Sequence, residues 1–209
     1  MLTNSIQSII PELTAENVEN DKSINRGETS KQQAVSLVLD CESENSSVFV
    51  ADADKSLTKA IGQLQNGLTT HFYSWGNFNL VRLMMYILKQ TGPANAFMTS
   101  YSFSQKSIEQ LNLKLLQKQL LSFRVIVDNR VKTMSPIPFQ MLMNSFDYRC
   151  SSIHAKIALI WNEQWKITIL TSQNATDNPK MERGTIFTDA SIFEFDLKTL
   201  ENEFLAGTT

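Results

Sequence analysis

SIHAKIALIWNEQWKITILTSQNATDNPKMERG, residues 152 to 184, contains two apolar runs, IHAKIALIW and WKITILTS, split by the polar break Asn162-Glu163-Gln164. Both runs are rich in Ile, Leu, Trp and Thr and are too short for typical helices, so they predict a β-hairpin. His154 and Lys156 stand two apart in the first run, and Ser172 and Asn174 stand two apart at the end of the second. Side chains at i and i+2 leave the same face of a strand. Two adjacent strands can therefore bring all four polar groups to one point, which is the pattern of a site and not of a core.

Strand and helix signals alternate on either side of this hairpin. AVSLVLD (34 to 40) and SVFVADA (47 to 53) predict short strands, and Asp54 predicts a helix cap with the helix running to about Gln65. His71 to Trp75 and Ala96 to Ser102 predict strands on either side of a largely apolar helix that Asn77 opens and Gly92-Pro93 stops. Ser104 opens an amphipathic helix, Phe123 to Asn129 is a strand, and Ser135-Pro136 starts a short helix. Thr185 to Ala190 predicts a last strand before a C-terminal helix. The alternation predicts an α/β fold: a mixed, largely parallel sheet with helices on both faces.

The order His-x-Lys, then Ser-x-Asn, then an acidic residue before Gly resembles the phospholipase D superfamily. Here those positions are His154, Lys156, Ser172, Asn174 and Glu182. The family's motif Asp falls on Trp161, with Asn162 next to it, and its frequent Gly before Ser is Thr171. The phrases TSYS, VIVDNR and SSIHAK also look like that family, so the resemblance covers about residues 68 to 205. A phospholipase D-like α/β domain is therefore expected over 33 to 209, while residues 1 to 32, polar, acidic and poor in aromatics, read from their composition as a flexible acidic segment.

The resemblance also implies a chemistry: metal-independent phosphodiester cleavage with no cofactor. His154 would be the nucleophile, forming a phosphohistidine, with Glu182 orienting its ring. Lys156, Ser172 and Asn174 would hold the phosphate oxygens. Because the superfamily mechanism needs two such histidines and this chain supplies one His-x-Lys, the resemblance further implies a homodimer with a composite active site. His71, followed by Phe72-Tyr73, does not repeat the motif and reads as structural. Asp128, at a strand end, either serves a site or caps the following turn.

Charge separates along the chain. Residues 1 to 54 hold ten acids against three bases, net −7, and the remainder holds eleven acids against sixteen bases, net +5. The motif-bearing part is thus basic, which suggests a polyanionic partner. Arg124, Arg130, Lys132 and Arg183 are its candidate substrate contacts, with ordinary surface charge the alternative for each. Cys41 and Cys150 are far apart and fit reduced thiols. The chain start lacks the pattern of a secretory signal, and no apolar run reaches the roughly eighteen residues of a membrane span. The expected protein is a cytoplasmic nuclease acting on nucleic acid, without a membrane. The alternatives are a phospholipid phosphodiesterase or transferase, and a nucleic-acid-binding module with a degenerate site.

Overall fold

The computed structural model describes residues 34–39, 46–50 and 53–209, with side chains from position 56 onward. The expected acidic segment over 1 to 32 lies outside the described residues. In chain order the elements are β1 (Ala34–Leu39), β2 (Ser46–Val50), α1 (Ala53–Ile61), β3 (Thr69–Trp75), α2 (Leu80–Thr91), β4 (Ala94–Ser100), α3 (Gln105–Leu116) and β5 (Leu120–Asp128). They continue with α4 (Val131–Met134), α5 (Pro136–Ser145), β6 (Asp147–Ser151), β7 (Ile157–Trp161), β8 (Lys166–Thr171), β9 (Met181–Phe187) and α6 (Ala190–Ala206).

The hairpin of the motif region is β7 and β8, antiparallel, with Ile157 opposite Leu170 and Trp161 opposite Lys166. Asn162 makes its turn. The side-chain oxygen accepts the backbone N–H groups of Gln164 and Trp165, and the amide nitrogen donates to the carbonyls of Thr91 and Pro93. Period-2 alternation then sorts the strands: Ala158, Ile160, Ile167 and Ile169 join the larger core on one face, while Leu159 joins the smaller core on the other.

The hairpin sits in the middle of a nine-stranded sheet of order β2-β1-β3-β9-β8-β7-β4-β5-β6. The mixed α/β class and the helices on both faces are as expected. The larger core packs beneath α1, α2, α3 and α5. On the opposite face Phe193, Leu200 and Phe204 of α6 cover Phe97, Ile126 and Leu159. The expectation of a largely parallel sheet needs correction. Among the described residues only β4–β5 and β5–β6 are parallel, and the other six pairings are antiparallel. A parallel neighbour requires a crossover, here supplied by α3 and by α4 with α5, whereas strands joined by short turns or loops must reverse.

Local boundaries follow from backbone chemistry. The helix expected to run to Gln65 stops at Ile61, where Gly62 takes φ +65°, a conformation favouring glycine. Helix α2 starts three residues later than expected, because the cap is Asn79, whose side chain accepts the Arg82 N–H. Strand β6, DYRCS, lacks apolar alternation and gave no signal in the sequence; its pairing with β5 defines it.

Candidate functional site

The parallel strands β4, β5 and β6 all end at one edge of the sheet. The antiparallel β7 and β9 begin there and β8 ends there. That edge collects polar side chains because strand termini expose backbone groups that the ladder no longer satisfies.

His154 and Lys156 lie on the extended segment entering β7. Thr99, buried at the end of β4, pins this segment: its hydroxyl donates to the Ala155 carbonyl at 2.8 Å and accepts the Ile157 N–H at 3.1 Å. The two bonds bracket Lys156. His154 is exposed, whereas Lys156 is only 7% exposed. The Lys156 Nζ donates to the His154 carbonyl at 2.7 Å and lies 3.2 Å from ring Nδ1 and 3.3 Å from Nε2. Burial holds this ammonium below the usual lysine range, and the charge of Glu182 opposes that shift.

One strand further, the Ser172 hydroxyl donates to the Glu182 carboxylate and accepts the Arg183 N–H at 3.0 Å. Asn178 donates to the other Glu182 oxygen at 2.7 Å. The Asn174 backbone oxygen accepts the Leu80 N–H at 3.3 Å, and its side-chain oxygen is buried without a partner. The structure therefore brings the five motif residues to one edge of the sheet, but in a different web from the expected one. Glu182 contacts Ser172 and Asn178; among the described residues it makes no hydrogen bond to His154. With its single proton engaged by Glu182, Ser172 has none left to offer a phosphate.

What lies against His154 is Tyr101, with ring centroids 5.3 Å apart and planes tilted by 58°. Arg130 lies over the same tyrosine at 4.6 Å and reaches Asp128 through Nε at 2.7 Å and Nη2 at 3.4 Å. Asp128 also accepts the backbone N–H of Arg130, at 3.0 Å. The Arg130 side chain, its backbone N–H and the backbone of Ile153 hold the buried Asp128 carboxyl below the usual carboxylate range, against the opposing effect of burial. Thr99, Tyr101 and Asn178 carry no motif role in the sequence. The phrase TSYS was the only hint of the first two.

The other expected contacts divide. Arg124 is not brought to the site: it pairs with Glu201 of α6 at 3.1 Å and lies over Phe97 and Phe204, on the opposite face. Lys132 donates to the Thr209 carbonyl at 3.3 Å. Arg183 is exposed at the site edge, 5.9 Å from the Tyr73 ring, which stacks on Trp75 at 6.3 Å. His71 bonds Thr185 across β3 and β9, at 2.9 Å. Trp161 packs on Phe193 at 5.7 Å. It lies at the far end of β7, four steps of roughly 3.3 Å beyond Ile157, away from His154 and Lys156. Among the described residues no group of three or more His, Cys, Asp or Glu is placed to hold a metal, and no helix is long and apolar enough to cross a membrane.

This architecture is a phospholipase D-like α/β fold. Among solved structures it is similar to the polyphosphate kinase of Porphyromonas gingivalis, at 16% identity over 68% of this chain and 26% of that one, with a TM-score of 0.50. It is also similar to NucT from Helicobacter pylori, at 13% identity over 66% of this chain and 97% of that one, with a TM-score of 0.49. The chain thus spans about a quarter of the kinase. No family model and no curated protein matches the sequence.

Proposed function

We propose that this protein is a cytoplasmic phosphodiesterase that cleaves nucleic acid through a phosphohistidine on His154, working as a homodimer. The observation that carries the reading is the contact of a buried lysine ammonium with both nitrogens of an exposed imidazole, at 3.2 and 3.3 Å. An exposed ring can meet a phosphorus, and a fixed positive charge beside it can hold a non-bridging oxygen as negative charge develops there. The ring nitrogen attacks phosphorus and forms the P–N bond. The P–O bond to the leaving group breaks, and the leaving oxygen takes a proton from the second His154, supplied by a two-fold partner. Water, deprotonated by that second ring, then attacks phosphorus, breaks the P–N bond and restores the first. Asn174 would add a neutral donor.

A nucleic-acid substrate is favoured over a phospholipid by Arg183, which has no ion pair among the described residues and lies beside the stacked pair Tyr73 and Trp75. A cation next to partly exposed aromatic rings suits phosphates joined to stackable bases. No step of the scheme draws on a metal, so cleavage in EDTA should equal cleavage in magnesium. The test is incubation of labelled single- and double-stranded DNA, RNA and a phospholipid in EDTA, beside His154→Ala. Turnover of one nucleic acid that falls at least about a thousandfold in the variant is the expected result. Activity that needs added metal, or that survives His154→Ala, would refute the phosphohistidine.

A further inference from the structure

We propose that Tyr101 is a positioning residue that holds the His154 ring in its attacking orientation, and that Asp128 and Arg130 buttress Tyr101 instead of binding substrate. The inference rests on the reading of His154 as nucleophile.

His154 is exposed, and among the described residues its ring is not held by a carboxylate. The contacts that limit its rotation are the Lys156 ammonium and the Tyr101 ring at 5.3 Å. Tyr101 is itself in contact with two cations. The Arg130 guanidinium lies 4.6 Å from its centroid and the Lys156 Nζ 5.8 Å from it, so the ring's electron-rich face serves two cations. Behind Arg130 stands Asp128, a carboxylate only 3% exposed whose two oxygens both meet the guanidinium. A buried carboxylate stays charged only with a partner. If the guanidinium swung to a substrate phosphate, Asp128 would lose both guanidinium bonds and keep the Arg130 backbone N–H, so the pair resists that move although the Arg130 side chain is 61% exposed.

The chain has two histidines, His71 and His154, so each ring can be followed by NMR, with assignment from the signal lost in His154→Ala. In the full-length protein the His154 ring protons should carry a ring-current shift from Tyr101. Tyr101→Leu should abolish that shift and lower kcat on an oligonucleotide about a hundredfold with KM nearly unchanged, since a misplaced nucleophile costs rate and not affinity. Tyr101→Phe should keep both properties. Arg130→Ala should weaken the shift and lower kcat about tenfold while leaving the salt dependence of binding as in wild type. A true phosphate contact would instead reduce that log–log slope by about one. An unmoved His71 signal confirms that each variant is folded, because His71 sits on β3 against Thr185. A His154 ring shift unchanged by Tyr101→Leu, or a reduced salt slope in Arg130→Ala, would overturn the proposal. If His154→Ala retained activity, the proposed chemistry would fail, and the ring shifts would still decide the positioning role.

Discussion

Lys156 combines burial with a proposed part in holding the phosphate. Its Nζ is held by the His154 carbonyl and ring, and burial lowers its pKa from the usual lysine value. The sign follows directly. Between that lowered value and the ordinary ~10.4, the unfolded chain keeps the proton that the folded chain has released, so this residue makes stability rise with pH there. On the proposed phosphate-holding role, activity should move the other way, declining as the ammonium is lost, with an alkaline limb below the ordinary lysine range. Lys156→Arg should push that limb upward, since a guanidinium stays charged, and Lys156→Ala should lower kcat by about a hundredfold or more. A pH–rate profile whose alkaline limb is identical in wild type and Lys156→Arg would remove Lys156 from the chemistry.

At the scale of elements, β9 carries the site carboxylate and depends on a missing side chain. Gly184 pairs directly opposite Phe72 of β3, and a Cβ at position 184 would stand 2.2 Å from the Phe72 Cζ. Phe72 is fully buried, so the ring cannot yield. Gly184→Ala should destabilise by roughly 1–3 kcal/mol through overpacking, read as a lowered denaturation midpoint, and should also displace Glu182 two residues away. A midpoint equal to wild type would mean that β3 and β9 separate easily. Helix α6 offers a second case. Burial of Asp196 against the sheet pushes its carboxyl above the usual range, with the Thr168 hydroxyl opposing. The folded chain therefore keeps this proton longer than the unfolded one. Stability is greatest with the carboxyl protonated and falls as pH rises from the ordinary carboxylate value through the folded one. Asp196→Asn, always neutral, should have a higher Tm than wild type at pH 7 and should lose that advantage near pH 3. An equal Tm at both values would contradict the burial argument.

For the molecule as a whole, the distribution of charge sets the expectation for partners. Residues 55 to 184 carry fifteen Lys and Arg against six Asp and Glu, net +9, although the full chain is −2. Binding to nucleic acid should weaken steeply with salt. A composite site adds a stronger test. If two His154 rings share one phosphorus, mixing and reannealing wild-type with His154→Ala chains gives heterodimers with a single histidine at the shared site. Activity should then fall as the square of the wild-type fraction. A linear fall would mean that each chain works alone.

The motif residues, the β7–β8 hairpin, the mixed α/β class and the basic character of the site-bearing region were all legible in the sequence. Each depends on spacing or composition within a short window: period-2 alternation, turn residues at Asn162, and like charges in succession. Strand direction was not legible. Whether β7, β8 and β9 insert antiparallel between β3 and β4 depends on which neighbours buries their two faces best, and no local pattern encodes that. The partners of the site groups were equally hidden. Glu182 turns to Ser172 and Asn178, and Tyr101 reaches His154 from a residue 53 positions earlier, because the sheet brings the ends of separate strands together. Arg124 and Arg130 look alike along the chain, yet the pleat sends one under α6 and the loop after β5 leaves the other over Tyr101. Residue chemistry is local and is written in the sequence; the company each side chain keeps is a property of faces and edges, which exist only once the strands have paired.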